Sequence, residues 1–88
     1  MAVQRKRVVF TCEAPEAKNV SLTGSFNNWS KSADPMKRNR EGTWTKIKVL
    51  PRGTHEYKFV VDGEWILDTH NHTTTTRCDG TVNNVIEL

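Results

Sequence analysis

No stretch of this chain approaches the ~20 consecutive apolar residues that cross a bilayer. Met1-Ala2-Val3-Gln4 leads into basic residues rather than an apolar core, so neither a membrane span nor a secretory leader is expected. Cysteine is scarce. Cys12 and Cys78 are the only two in 88 residues, fewer than a secreted disulfide framework of this size carries, and they read as reduced thiols of a cytoplasmic domain. The Asn-x-Ser/Thr patterns at Asn19, Asn28 and Asn71 then carry no weight. A dense basic stripe is also missing. The formal charge is +3, with the basic residues gathered at Arg5, Lys6 and Arg7 and over 31–40. Nucleic-acid binding needs more than this, so a solvated basic face is expected instead. Catalytic groupings are equally thin. Glycoside hydrolysis needs two positioned carboxylates, whereas Asp62 sits in a turn and Glu64, Asp68 and Asp79 have no evident mate. His70, His72, Cys78 and Asp79 fall short of the paired ligands of a structural zinc site. An enzyme, a metal site and a cofactor are therefore not expected.

Sustained helical periodicity is absent as well, and what fills the chain is short alternating runs separated by turn residues. Residues 7–12 read as a strand with Val8, Phe10 and Cys12 on one face, ending before Pro15. Residues 18–23 alternate Val20 and Leu22 against Asn19, Ser21 and Thr23, and 24–30 form a loop. Residues 44–50 form a third strand, closed by Pro51-Arg52-Gly53. Residues 54–61 and 64–67 make a hairpin about Asp62-Gly63, a strong two-residue turn signal. Within it Tyr57, Phe59 and Val61 point one way and Glu56, Lys58 and Val60 the other. Residues 81–88 are the last strand, with Val82, Ile86 and Leu88 inward and Thr81, Asn83, Val85 and Glu87 outward. Thr73 to Thr76 reads as a loop. In 44–50 the alternation sets Trp44, Lys46 and Lys48 against Thr45, Ile47 and Val49, so either Trp44 faces out or a bulge shifts the register. The pattern predicts an all-β fold, an immunoglobulin-like β-sandwich of six to eight short antiparallel strands, with a small oligonucleotide-binding-type barrel as the rival. One domain over 7–88 follows an N-terminal arm over 1–6.

The tryptophans carry the functional signal. Trp29 stands in a polar loop between Asn28 and Ser30, and Trp65 opens a strand just after a tight turn. An indole can stack on the apolar C–H face of a sugar ring, provided that donors and acceptors nearby meet the hydroxyls. Lys58 lies across the hairpin from Trp65 on the face away from Tyr57 and Phe59, and Thr81 and Asn83 share one strand face. By pattern alone, Trp29 and Trp65 suit a satellite of the core as well as a binding platform.

Three ordered blocks extend the reading. The run Val20-Ser21-Leu22-Thr23-Gly24-Ser25-Phe26-Asn27-Asn28-Trp29, the hairpin from His55 to Trp65 and the run Gly80-Thr81-Val82-Asn83-Asn84-Val85-Ile86 resemble the family 48 carbohydrate-binding modules, in the style of the glycogen-binding domains of AMP-activated protein kinase β subunits. The resemblance spans about 7–88. It implies an early-set immunoglobulin-like sandwich without catalytic activity that binds α-1,4-linked glucose chains of the glycogen or starch type and tolerates some α-1,6 branching. It also implies a kinase or glucan-metabolising enzyme as the larger partner. By this likeness the stacking residues are Trp29 and Trp65 and the polar contacts are Lys58, Thr81 and Asn83. Asp79 stands where the kinase domains carry a leucine that reaches across the sugar, and is an auxiliary candidate able to accept a hydroxyl hydrogen bond. The competing expectation is a protein-interaction module that keeps the fold with a weakened sugar site.

Overall fold

The structure, a computed structural model, describes residues 4–88. The first three residues of the expected arm lie outside the described residues. Eight strands and one short 3-10 turn make up the chain: β1 Arg5–Glu13, β2 Val20–Gly24, the turn Ser25–Asn27, β3 Lys37–Arg38, β4 Thr43–Pro51, β5 Thr54–Val61, β6 Glu64–Ile66, β7 Thr74–Thr76 and β8 Val82–Glu87. They form two antiparallel sheets. One has the order β1-β4-β3; the other has the order β2-β5-β8-β7, with β6 also paired to β5. This is the expected all-β sandwich.

The core lies where the alternation put it. Phe10 and Cys12 of β1, Val20 and Leu22 of β2, and Tyr57 and Phe59 of β5 are buried between the sheets. Phe10 meets Tyr57 edge-on at 4.9 Å between ring centroids. Val8, Ile86 and Leu88 pack against the same cluster. Buried apolar area is the main driving force for a domain this small. Asn84 is the polar exception on the inward face of β8. It is fully buried and satisfied, accepting from the Asp68 amide and donating to the carbonyls of Asp68 and Asn71. The 68–71 loop is thereby laced onto the sheet, and Tyr57 joins it by donating to Asp68 at 2.7 Å.

β4 departs from both options that its pattern offered. β1 and β4 pair without a break from Arg5↔Pro51 to Glu13↔Thr43, yet Trp44 faces in, 8% exposed, with its indole N–H donating to the Ala14 carbonyl. Lys46 and Lys48 share that inward parity, while Ile47 and Val49 are exposed on the outer face beside Val9. What allows two lysines there is the buried Asp34 carboxylate. It accepts from Lys48 at 3.1 Å and lies 3.9 Å from Lys46. β7 is a second correction, because the threonine run expected to be loop is a short edge strand on β8.

The hairpin turn follows expectation. Asp62 and Gly63 have φ of 48° and 86°, both positive, as a two-residue turn matched to strand twist requires. The Asp62 carboxylate also accepts from the amides of Lys18 and Asn19. That acid therefore secures the approach to β2.

Candidate functional site

One face of the β2-β5-β8-β7 sheet turns away from the core, and the cross-strand register decides what stands on it. Trp65 pairs with Val60, which puts Trp65 on the side of Val60, Lys58 and Glu56. Tyr57 pairs with Asn84, so Asn84 points inward and Asn83 and Val85 point outward. Thr81, two residues before Asn83, keeps that parity. Val60 is buried yet stands apart from the main core cluster, and Thr23 on the same face is fully buried, its hydroxyl donating to the Lys58 carbonyl. The sheet thus offers a well-packed floor on its outer side.

Trp29 reaches this face from the loop after β2, and its route is unusual. Asn28 and Trp29 both adopt left-handed backbone, with φ of 56° and 58°. For a bulky side chain this is strained, and such strain persists only where the surroundings enforce it. Here they do. The Trp29 amide donates to the Gly24 carbonyl and the Ser30 amide to that of Asn27. The Asn27 side chain accepts from Gly24 N–H and donates to both the Leu22 carbonyl and the Asp34 carboxylate. Burial pulls the Asp34 carboxyl up, but its bonds to Asn27 and Lys48 and the charges of Lys48 and Lys46 outweigh that and hold it below its ordinary value. Gly24 is required by close approach: a Cβ there would lie 2.6 Å from both the Glu56 carbonyl and the Phe26 ring.

The outcome is a single open pocket of about 600 Å³, lined by Trp29, Lys58, Trp65, Arg77, Asp79, Thr81 and Asn83. All six residues singled out in the sequence lie together in it. The indoles of Trp29 and Trp65 are 6.5 Å apart at a 53° angle, a bent aromatic wall. Trp65 remains 43% exposed, and the Lys31 ammonium lies 5.3 Å from its ring centre. Thr81 is exposed, whereas Asn83 is nearly buried on the floor. Asp79 accepts from the Thr81 amide at 2.9 Å; hydrogen bonds from Thr81, followed by the Arg77 charge, hold its carboxyl below the ordinary value. Asp79 is therefore an ionised acceptor that also shapes the turn before β8.

Two residues of the face were not singled out in the sequence. Arg77 lines the pocket, and Glu56 lies between Arg77 and Asn83, at 3.9 Å and 3.2 Å. Strand parity already put Glu56 beside Lys58, but Arg77 follows directly on the threonine run read as loop and belonged to no strand whose parity could place it. Among the described residues no group of three His, Cys, Asp or Glu side chains is arranged to hold a metal. His70 instead lies 4.0 Å from Glu13. Both cysteines are free; burial, then Asp68 and Glu13, pushes the Cys12 thiol up, while Cys78 is exposed. No helix among the described residues is long and apolar enough to cross a membrane.

Residues 7–88 match the family described as the glycogen recognition site of AMP-activated protein kinase. Over 71 residues, 81% of the chain, it is 46% identical to the 5'-AMP-activated protein kinase subunit beta-1 of Sus scrofa, covering 55% of that protein. The identity is also 46% to the beta-1 subunit of Homo sapiens and 41% to the beta-2 subunit of Mus musculus, each over 81% of the chain and 25% of the subunit. The chain thus spans between a quarter and about half the length of these relatives.

Proposed function

The chain belongs to the family of AMP-activated protein kinase glycogen recognition sites, and from that premise we propose that it holds α-1,4-glucan of the glycogen or starch type without acting on it chemically. The supporting observation is the convergence of Trp29 and Trp65, from a strained loop and a separate strand, on one pocket with Lys58, Thr81 and Asn83. Two indoles at 53° suit a chain whose successive rings turn relative to one another, as α-1,4 linkage makes them. Stacking on the apolar sugar faces supplies affinity, and the polar side chains select hydroxyl positions. Asp79 adds an ionised acceptor at the rim in place of an apolar contact. The pocket is open, and Asp79, the acid that lines it, is engaged in a turn bond, which agrees with a binding role.

In this reading the module tethers a larger protein or complex to the polysaccharide, and α-1,6 branches are tolerated at the open ends of the pocket. Its relatives are kinase subunits longer than the aligned stretch, which covers 55% of one and 25% of others, so a kinase or a glucan-metabolising enzyme is the partner class we propose. Two free thiols agree with a cytosolic setting.

The test is calorimetric titration with maltoheptaose, β-cyclodextrin and glycogen. The parent chain is expected to bind, and the Trp29→Ala/Trp65→Ala double variant, once checked by circular dichroism to be folded, to lose most affinity, since each aromatic contributes about 1 kcal/mol beyond area burial. Binding of a neutral sugar also changes little between low and high salt, unlike contacts to a phosphate backbone. Unchanged binding by the folded double variant would remove the stacking assignment. A parent chain that binds none of the three glucans would favour the protein-interaction alternative.

A further inference from the structure

Arg77 and Glu56 have no part in the scheme above, yet both cluster with Asn83, and Arg77 stands with it on the pocket wall. Asn83 is 3% exposed, and its side-chain amide nitrogen donates to Glu56 Oε1 at 3.2 Å. A primary amide beside a carboxylate turns its N–H₂ end toward the charge, which leaves the carbonyl end facing the other way. Asn83 Oδ1 has no protein donor among the described residues, and no buried side-chain polar atom among them lacks a partner, so Oδ1 is open to the pocket. The same Glu56 oxygen lies 3.9 Å from Arg77 Nη1. Arg77 itself is half exposed and lines the pocket. Its position is fixed at the backbone too: its amide donates to the Thr81 carbonyl, and its carbonyl accepts from Gly80 N–H, closing the turn before β8.

We propose that Arg77 is a further glucan-contacting residue, and that Glu56 is a positioning residue that presents Arg77 as donor and Asn83 as acceptor to adjacent sugar hydroxyls. The inference rests on the glucan-binding reading. The chemistry follows from the donor inventory. A guanidinium carries five N–H groups in a planar fork and no acceptor. With one nitrogen beside Glu56, the others remain free to donate to a pair of neighbouring hydroxyls. Asn83 Oδ1 accepts from a hydroxyl on the same ring edge. Without Glu56 the amide of Asn83 could turn either way and Arg77 would sample many rotamers. Glu56 therefore acts through its two neighbours and does not itself meet the sugar.

The experiment titrates the full chain with maltoheptaose and β-cyclodextrin for the parent, Trp65→Ala, Arg77→Ala, Glu56→Ala and the Glu56→Ala/Arg77→Ala double variant. Arg77→Ala is expected to weaken binding about tenfold, as loss of a charge-assisted hydrogen bond does, and Glu56→Ala to weaken it comparably by releasing both of its neighbours. The double variant should fall within about twofold of the weaker single, because residues that act as one unit are not additive. Two NMR readouts separate positioning from mere stability. The Asn83 side-chain amide resonances of the free protein should shift in Glu56→Ala and Glu56→Gln at unchanged melting temperature, and the Arg77 Nε–Hε resonance of the parent should shift on saturation with maltoheptaose. Arg77→Ala binding like the parent while Trp65→Ala does not, or an Arg77 resonance unmoved by sugar, would overturn the proposal and leave the glucan site standing. Losses that multiply in the double variant would overturn the positioning role of Glu56. A parent chain that binds neither sugar would overturn this proposal together with the reading beneath it.

Discussion

In the proposed glucan site, Trp29 is a residue set for binding at a cost to the fold. Left-handed backbone at a bulky residue costs roughly 1–3 kcal/mol, and Trp29 carries it with φ of 58°. In return its packing is modest: it is part-buried, with a tilted contact to Trp65 at 6.5 Å. The Trp29→Gly variant is therefore expected to lose glucan affinity while melting no more than about 4 °C below the parent, because relief of strain offsets the lost packing. Paired calorimetric melts and titrations check this. A larger drop in melting temperature would mean that the indole itself holds the loop. Trp29 stood out in the sequence as an aromatic in a polar loop. Its backbone geometry did not, since that is set by Gly24, Asn27 and Asp34 together and only folding brings Asp34 to them.

At the scale of elements, legibility followed the division between local and long-range causes. One face each of β2, β5 and β8 meets the core, so the outward parity of Lys58, Thr81 and Asn83 could be read directly, although inward Asn84 and outward Val60 break the apolar-polar alternation. β4 could not be read this way, because the two inward lysines are explained by an acid ten or more residues away and the exposed Ile47 and Val49 mimic a core face. β7 offered a run of threonines with no apolar member, which only pairing with β8 converts into a strand. That edge strand matters for the site. The Val85 amide donates to the Thr73 carbonyl and the Arg77 amide to the Thr81 carbonyl. Since hydrogen-bonded pairs alternate in an antiparallel ladder, Thr75 and Asn83, which are directly opposed, form the bonded pair between these two. Thr75→Pro removes the donor on the Thr75 side. It is expected to destabilise the chain by about 1 kcal/mol and to weaken glucan binding beyond that, because Asn83 and the Arg77 turn lose their outer support. Urea unfolding beside sugar titration separates the two effects. Affinity equal to the parent in a folded Thr75→Pro chain would show that β7 is dispensable to the site.

Over the whole molecule, one buried carboxylate connects the fold to the site. Asp34 ties the inner face of β4, through Lys48 and Lys46, to the Asn27 side chain that organises the Trp29 loop. Its carboxyl is held below its ordinary value in the folded chain. The sign follows from linkage. A carboxyl depressed by folding contributes stability above the unfolded value of about 3.9, and that contribution is lost as pH falls through the lower folded value. The parent is therefore expected to keep a flat urea midpoint from neutral pH to about 5 and to decline below about 4. Asp34→Asn removes the charge and the pair with Lys48, so its midpoint should be lower at pH 7, by about 2 kcal/mol in unfolding free energy, with a shallower decline in acid. Because the same group steadies Trp29, sugar affinity measured on the still-folded parent should fall in the same acid window and fall less steeply in Asp34→Asn, where only the Asp79 acceptor still titrates. Asp79 is depressed too, but it is fully exposed and bonded to its own turn. Asp79→Asn should therefore change the urea profile far less than Asp34→Asn does, while still altering affinity. Parallel acid profiles for the parent and Asp34→Asn would break the proposed link between the buried ion pair and the binding loop, and would assign the acid response to other carboxylates of the chain.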